Sequence, residues 1–341
     1  MPTEQTSQEQ HPDIRASANK EPQKRSISDD LKHCGCGFLM GAADIVPGVS
    51  GGTMALIVGI YSRLVTAISR IDRRFLRHLA DRKMREAAEH ADLRFLIAVG
   101  GGVLLGAGGL ASVMKLLLSD HRTLTYGAFT GLILASSLLV SRQVILWSPQ
   151  RLTQLLLAIL GAWWLVTLPA LQNPPDSLIY VFFCGMIGIC AMILPGISGA
   201  FILLLLNCYE TVLGAIRSFV HLDLSGEVLG ILIVFSIGCL TGLLAFSRLL
   251  KKLLATHHDS TIAVLCGFML GSLYRLWPFQ RDLTPDVTDF KHKTFEHFLP
   301  PQLSTEVWTT LLTAALAASI VLLLDAAARR FGRRQLTDSP R

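Results

Sequence analysis

Eight apolar segments divide the chain, at approximately residues 34–68, 93–118, 122–140, 150–172, 178–216, 227–254, 260–277 and 305–325. A bilayer core takes roughly 20 helical residues to cross, so segments of this length predict an all-α polytopic membrane protein. Composition agrees: 51% of the residues are hydrophobic, only 16% are charged, and mean hydropathy is +0.48. Soluble domains carry about 25% charged residues, so this chain has too few to cover a water-facing surface. Its net charge of +6 and pI near 9.0 would suit nucleic acid. The basic residues, however, lie between the apolar segments, where the positive-inside rule places them. The expected partner is therefore the bilayer and not a nucleic acid.

Two segments are too long for one crossing, and each is interrupted near its middle, at Val46-Pro47-Gly48 and at Leu194-Pro195-Gly196. Proline removes a backbone donor and clashes with the preceding turn, while glycine accepts conformations closed to other residues. Each pair therefore reads as a helix stop followed by a restart. The first arm, Cys34 to Val46, is too short to span, so both segments are expected to be re-entrant hairpins.

The breaks belong to an internal repeat. Residues 37–51 align with 185–199, which sets Pro47-Gly48-Val49-Ser50-Gly51 against Pro195-Gly196-Ile197-Ser198-Gly199. The register runs on through Tyr61 with Tyr209 and Ala67-Ile68 with Ala215-Ile216. Further along, Gly102-x3-Gly106 matches Gly238-x3-Gly242, Lys115 stands opposite Lys251, and Gly127-x3-Gly131 matches Gly267-x3-Gly271. Each half then holds one broken hairpin and three spanning helices. Three is an odd number, so the halves are expected to be inverted, as in many transporters. The glycine run from Gly100 to Gly109 reads as a close helix-packing face rather than a phosphate loop, because it lies within an apolar span.

Charge sets the expected orientation. Arg70, Arg73, Arg74, Arg77, Arg82, Lys83, Arg85 and Arg94 crowd one connection, which should be cytoplasmic. Lys20, Lys24, Arg25 and Lys32 put the amino terminus on the same side. Arg142, Arg151, Arg248, Lys251, Lys252 and the tail arginines from Arg329 to Arg334 follow, while Asn173 to Ser177 holds no basic residue and falls outside. The expected organisation is a disordered polar cytoplasmic terminus over 1–33, membrane repeats over 34–172 and 178–325, and a basic cytoplasmic tail over 326–341. No secretory signal is expected at the amino end. The seven cysteines form neither a disulfide framework nor a zinc pattern, Cys34-Gly-Cys36 beside His33 being their one cluster, and no metal or cofactor is expected.

The restarting loops carry the candidate site. Each begins a new helix, so free backbone amides face the gap and attract an anion. Glycine admits a ligand close to the backbone, and Ser50, Thr53 and Ser198 add hydroxyls. Two tips entering from opposite sides would meet and form one pseudo-symmetric anion site. The plainer alternative is that Ser50 and Ser198 only cap their helices. Intramembrane charges are costly and hence functional candidates. Asp44 lies one turn before the first break, where the second half has Met192; it could carry a proton or pair with a base such as Arg63, the alternative being a structural cap. Glu210 and Arg217 near the end of the second hairpin either serve the site or snorkel to the interface, and Lys115 and Lys251 read as anchors. The candidate substrate-binding set is Asp44, Pro47, Gly48, Ser50, Gly51, Gly52, Thr53 and Arg63, with Pro195, Gly196, Ser198, Gly199 and Glu210.

The run Gly41-Ala-Ala-Asp44-Ile-Val-Pro47-Gly48-Val-Ser50-Gly51-Gly52-Thr53, with its echo at Pro195 to Gly199, resembles the bacterial polyprenyl-phosphate transporter family from about residue 35 to 325. The resemblance implies movement of undecaprenyl phosphate, the lipid carrier of cell-wall sugars, from the outer to the inner leaflet of the cytoplasmic membrane. Two alternatives remain at this level. A small-anion transporter would use the same site with a water-filled path. An intramembrane undecaprenyl-diphosphate phosphatase would share inverted repeats and a Pro-Gly-x-Ser loop, but needs an Arg after the Ser and paired glutamates. Here Gly51 and Gly199 stand after the serines, no Glu-x3-Glu lies near either tip, and a non-enzyme is expected. Oligomeric state is left open.

Overall fold

A computed structural model describes residues 27–44, 50–222, 224–284, 295–300, 302 and 304–337. The first half contains α1 (Ile27–Asp44), α2 (Gly51–Ile57), α3 (Tyr61–Ser69), α4 (Arg73–Ala80), α5 (Met84–His90), α6 (Leu93–Asp120), α7 (Arg122–Ser141) and α8 (Pro149–Thr167). The second contains α9 (Leu178–Ile193), α10 (Gly199–Leu205), α11 (Tyr209–Val220), α12 (Gly226–Thr256), α13 (His258–Ser272) and α14 (Thr305–Thr337). Between α13 and α14, β1 (Gln280–Asp282) pairs antiparallel with β2 (Phe295–His297), a hairpin the apolar pattern does not announce. Windows in α6, α7, α12 and α14 are long and apolar enough to cross a membrane, and much of their apolar surface points outward, as at Leu104, Leu105, Leu240 and Leu316. Such a surface suits lipid rather than water. The chain is an all-helical, multi-pass membrane protein.

Both long segments are broken, and each carries a second break. The short helices α2 and α3 meet at 119°, and α10 and α11 at 111°. These bends fall at Gly59 (φ +75°) and Asn207 (φ +50°), which are 148 positions apart, as Ser50 and Ser198 are. Glycine and asparagine are the residues that enter the left-handed region at least cost, so two different side chains make the same turn. Elsewhere helix starts follow ordinary capping. Ser148 caps α8 with Pro149 at its first position, and the Asp72 side chain accepts from the amides of Arg74 and Phe75 to open α4.

Packing between long helices is side by side and parallel. Along α1 and α6 the close approaches run Cys34 with Gly102, Phe38 with Gly106, Gly37 with Val99 and Gly41 with Val103, so both numbers rise together. Arg94 and Asp30 form an ion pair where the two helices begin. In the same sense Phe182 meets Gly238 and Met186 meets Gly242 between α9 and α12. Thr310 and Ala314 of α14 meet Gly127 and Gly131 of α7, and Ala158 and Ala162 of α8 meet Gly267 and Gly271 of α13. Small residues let these backbones touch. Gly100, Gly101, Gly108 and Gly109 have nothing near them, so only part of the glycine run is a packing face.

This polarity fixes where the hairpins go. Because α1 and α6 run the same way, the chain between them returns to the side on which α1 began. The chain between α9 and α12 does likewise. Arg248 of α12 donates to the carbonyl of Ile71 at 2.9 Å, which sets the end of α12 beside the basic connection.

One boundary differs from the sequence reading. Helix α1 begins at Ile27, so residues 27–33 are helical rather than part of an unstructured terminus. Asp29 and Asp30 in its first turn complement the helix dipole, and the Asp30–Arg94 pair holds it. At 18 residues, α1 is about 27 Å long and not the short arm expected from Cys34. Residues 1–26 and 338–341 of the two terminal segments lie outside the described residues.

Candidate functional site

The two hairpin tips touch, and the contact is built from the start of α2 with Tyr61 on one side and residues 192–196 on the other. Ser50 is buried, and its hydroxyl lies 3.3 Å from both the Met192 and Leu194 carbonyls. Tyr61 donates to the Ile193 carbonyl at 3.1 Å. The carbonyls at the end of α9, which an isolated helix would leave unpaired, thus share the two hydroxyls of Ser50 and Tyr61 from the other half. In return the Gly196 amide donates to Thr53 Oγ1 at 2.8 Å. Gly52 makes the approach feasible, since a Cβ there would lie 2.6 Å from the Ile193 carbonyl oxygen.

Within the first tip, Ser50 has extended dihedrals and accepts from the Gly52 amide at 3.2 Å, an N-cap of α2. Asp44 Oδ1 accepts from the Gly51 amide at 2.6 Å. The last residue of α1 is thereby tied to the first residue of α2. In the second tip Ser198 caps α10 through the Phe201 amide, at a long 3.5 Å. The tips are unequally covered: Ser50 to Thr53 are buried, whereas Ser198 is half-buried.

Of the candidate residues, Asp44, Ser50, Gly51, Gly52, Thr53, Pro195, Gly196, Ser198 and Gly199 gather in the two tips that touch. Pro47 and Gly48 lie outside the described residues. Arg63 does not reach Asp44. Its guanidinium instead pairs with Asp92 through Nε and Nη2, each at 2.9 Å, approaches His33 at 3.0 Å and stacks 4.2 Å over Phe95. Glu210 is exposed at the start of α11. Tyr180 donates to the Leu206 carbonyl at 2.5 Å, so this break sits at the beginning of α9, about a helix length from the tip. Arg217 and Lys251 are exposed; the Lys115 side chain lies outside the described residues. Tyr61, which the repeat matches with Tyr209, was legible as a repeated position but gave no sign that it would cap a carbonyl of the other half.

The chain is similar to two curated proteins named "Polyprenyl-phosphate transporter". With that of Vibrio cholerae it shares 41% identity over 73% of this chain and 78% of the relative. With that of Staphylococcus aureus it shares 34% over 71% of this chain and 84% of the relative. No solved structure matches it. A family model described as undecaprenyl phosphate translocase-like matches residues 40–293, which include both tips, and the chain belongs to that family.

Proposed function

We propose that the protein moves undecaprenyl phosphate between the leaflets of the bacterial cytoplasmic membrane, recycling the carrier lipid, with the phosphate held between the two hairpin tips. The observation that carries this reading is the contact of Ser50 and Thr53, at the start of α2, with the Met192 carbonyl and the Gly196 amide of the other half, in a chain that repeats Pro-Gly-x-Ser-Gly in sequence and whose relatives are named for polyprenyl phosphate. The helices that restart there have seven residues each, so attraction for an anion rests on loop amides and hydroxyls more than on a helix dipole. In the present conformation those groups bond to one another. Binding exchanges Ser50–carbonyl and Thr53–amide bonds for bonds to phosphate, which parts the tips. A site that opens only by separating its halves suits alternating access, and the lipid tail can remain in the bilayer throughout.

Inverted architecture supports the same reading. The repeat pairs α7 with α13 and α8 with α14, while the contacts pair α7 with α14 and α8 with α13, each parallel. When α7 and α8 cross in opposite directions, α7 and its counterpart α13 do so too. The hairpins are then re-entrant elements of two inverted membrane repeats, over 34–172 and 178–325. The basic 70–94 connection and both termini face the cytoplasm, as the excess of arginine there favours.

Ser50→Ala and Ser198→Ala are each expected to weaken undecaprenyl phosphate binding by about 1.5–3 kcal/mol, the range for hydrogen bonds to a charged group. The double variant should lose less than the sum, because both hydroxyls serve one ligand. Titration of purified variants in nanodiscs measures this. Strict additivity, or wild-type affinity in both single variants, contradicts a shared site.

A further inference from the structure

We propose that Arg275, with Arg122 beside it, forms a docking site for a phosphate monoester on the face opposite the basic 70–94 connection, ahead of the hairpin tips. This rests on the transport reading above and adds to it the place where the head group is first held.

The position follows from helix polarity. Arg122 opens α7 at the far end of the 28-residue α6, which starts beside the basic connection. Arg275 follows α13, whose start adjoins the end of α12 and therefore the same connection. Both arginines thus lie on the opposite face. Thr130 of α7 donates to the Leu276 carbonyl at 3.2 Å, which brings the two positions together. Gln280 joins them: its side chain bonds to Arg122, and its Nε2 donates to the Arg275 carbonyl at 3.0 Å.

The cluster is cationic and walled by rings. Arg122 lies 3.3 Å over Phe295, and Arg275 lies 4.7 Å over Phe201. His297, 4.4 Å from the Tyr274 ring, is held below its usual pKa by burial, with both guanidiniums adding to the effect. The fixed positive charges of the cluster are the two arginines. Among the described side chains, which do not include that of Asp282, no carboxylate pairs with Arg275, although its side chain is half-buried. A guanidinium withdrawn from water needs an anion, and its planar fork fits phosphate oxygens in pairs.

The link to the tips is direct. Phe201, beneath Arg275, is the third residue of α10 and is the residue whose amide Ser198 caps. Ser198 is also the less buried of the two tip serines. The repeat does not reproduce the cluster: in the register of Gly127 with Gly267, Ala135 stands opposite Arg275 and Ile262 opposite Arg122. A scaffold role should recur in both halves, whereas a docking site for cargo arriving from one side need not.

The test uses the full-length protein in nanodiscs, with undecaprenyl phosphate as one probe and inorganic phosphate as the other, beside melting curves. Arg275→Gln is expected to weaken phosphate-lipid binding about tenfold or more, the scale of a charge-assisted hydrogen bond, with the melting temperature held. Arg275→Lys should fall between, since it keeps the charge and loses the fork. If Arg275→Gln does not accumulate, Arg122→Gln carries the same expectation. Competition by millimolar inorganic phosphate assigns the site to the soluble anion; response to the lipid alone assigns it to the head group. Wild-type affinity in the arginine variants, with affinity lost in the Ser50→Ala, Ser198→Ala double variant, overturns the docking site and leaves the transport reading standing. Failure of the wild type to bind either probe overturns both.

Discussion

Gly196→Ala is expected to remove most of the folded protein from the membrane. Gly196 has φ +86°, where an L side chain is strained, and an added Cβ would lie 2.6 Å from the Phe268 carbonyl oxygen. The strain costs about 1–3 kcal/mol and the overpacking a similar amount. The Gly196 amide also donates to Thr53, so any backbone shift that relieves the clash breaks a contact between the halves. Together these come to about 2–6 kcal/mol, which reaches the lower end of the stability of an ordinary domain, roughly 5–15 kcal/mol. Gly101→Ala is the matched control, because nothing lies within 4 Å of its added Cβ. Size-exclusion profiles and melting curves of the two variants decide the matter. A wild-type profile for Gly196→Ala would show that the tip contact does not hold the halves.

Removing the Asp44 carboxyl should have the next largest effect. Asp44 ties the end of α1 to the start of α2 through the Gly51 amide at 2.6 Å, and the approach needs glycine, since a Cβ on Gly51 would lie 2.7 Å from Asp44 Oδ2. Asp44→Ala abolishes that bond and is expected to cost about 2 kcal/mol, the value for a hydrogen bond to a charged group. Asp44→Asn keeps an acceptor in the same place, so its loss should be about half as large or smaller. The comparison separates the two alternatives for this residue, a structural cap and a proton carrier. If Asp44 also carries a coupling proton, Asp44→Asn binds the lipid phosphate yet does not respond to a proton gradient. Full gradient-driven uptake by Asp44→Asn would confine the residue to capping.

The parts of this structure that sequence made legible are those written twice. Pro47-Gly48-Val49-Ser50-Gly51 and Pro195-Gly196-Ile197-Ser198-Gly199 announce both tips, and matched glycine pairs announce the helix contacts. Features written once were not legible. Gly59 and Asn207 make the same left-handed turn with different side chains, so identity matching passes over them. The basic connection folds into α4 and α5 through the Asp72 cap and polar pairs such as Arg85 with Glu89, with no apolar period to mark them. Arg63 was weighed as a partner for Asp44, but Asp92 is 29 positions along the chain and is brought back only by the return of the hairpin. Arg122 and Arg275 stand at the ends of apolar segments, where an arginine ordinarily signals orientation, and only the fold sets Gln280 between them.

Leaflet exposure in proteoliposomes measures the proposed activity itself. Liposomes carrying undecaprenyl phosphate in both leaflets are treated from outside with an impermeant phosphatase, and the released phosphate is followed with time. With the wild-type protein, hydrolysis should continue past the outer-leaflet pool until the inner pool is consumed, and the Ser50→Ala, Ser198→Ala double variant should slow that second phase. A second phase no faster than in protein-free liposomes would contradict transport of this lipid.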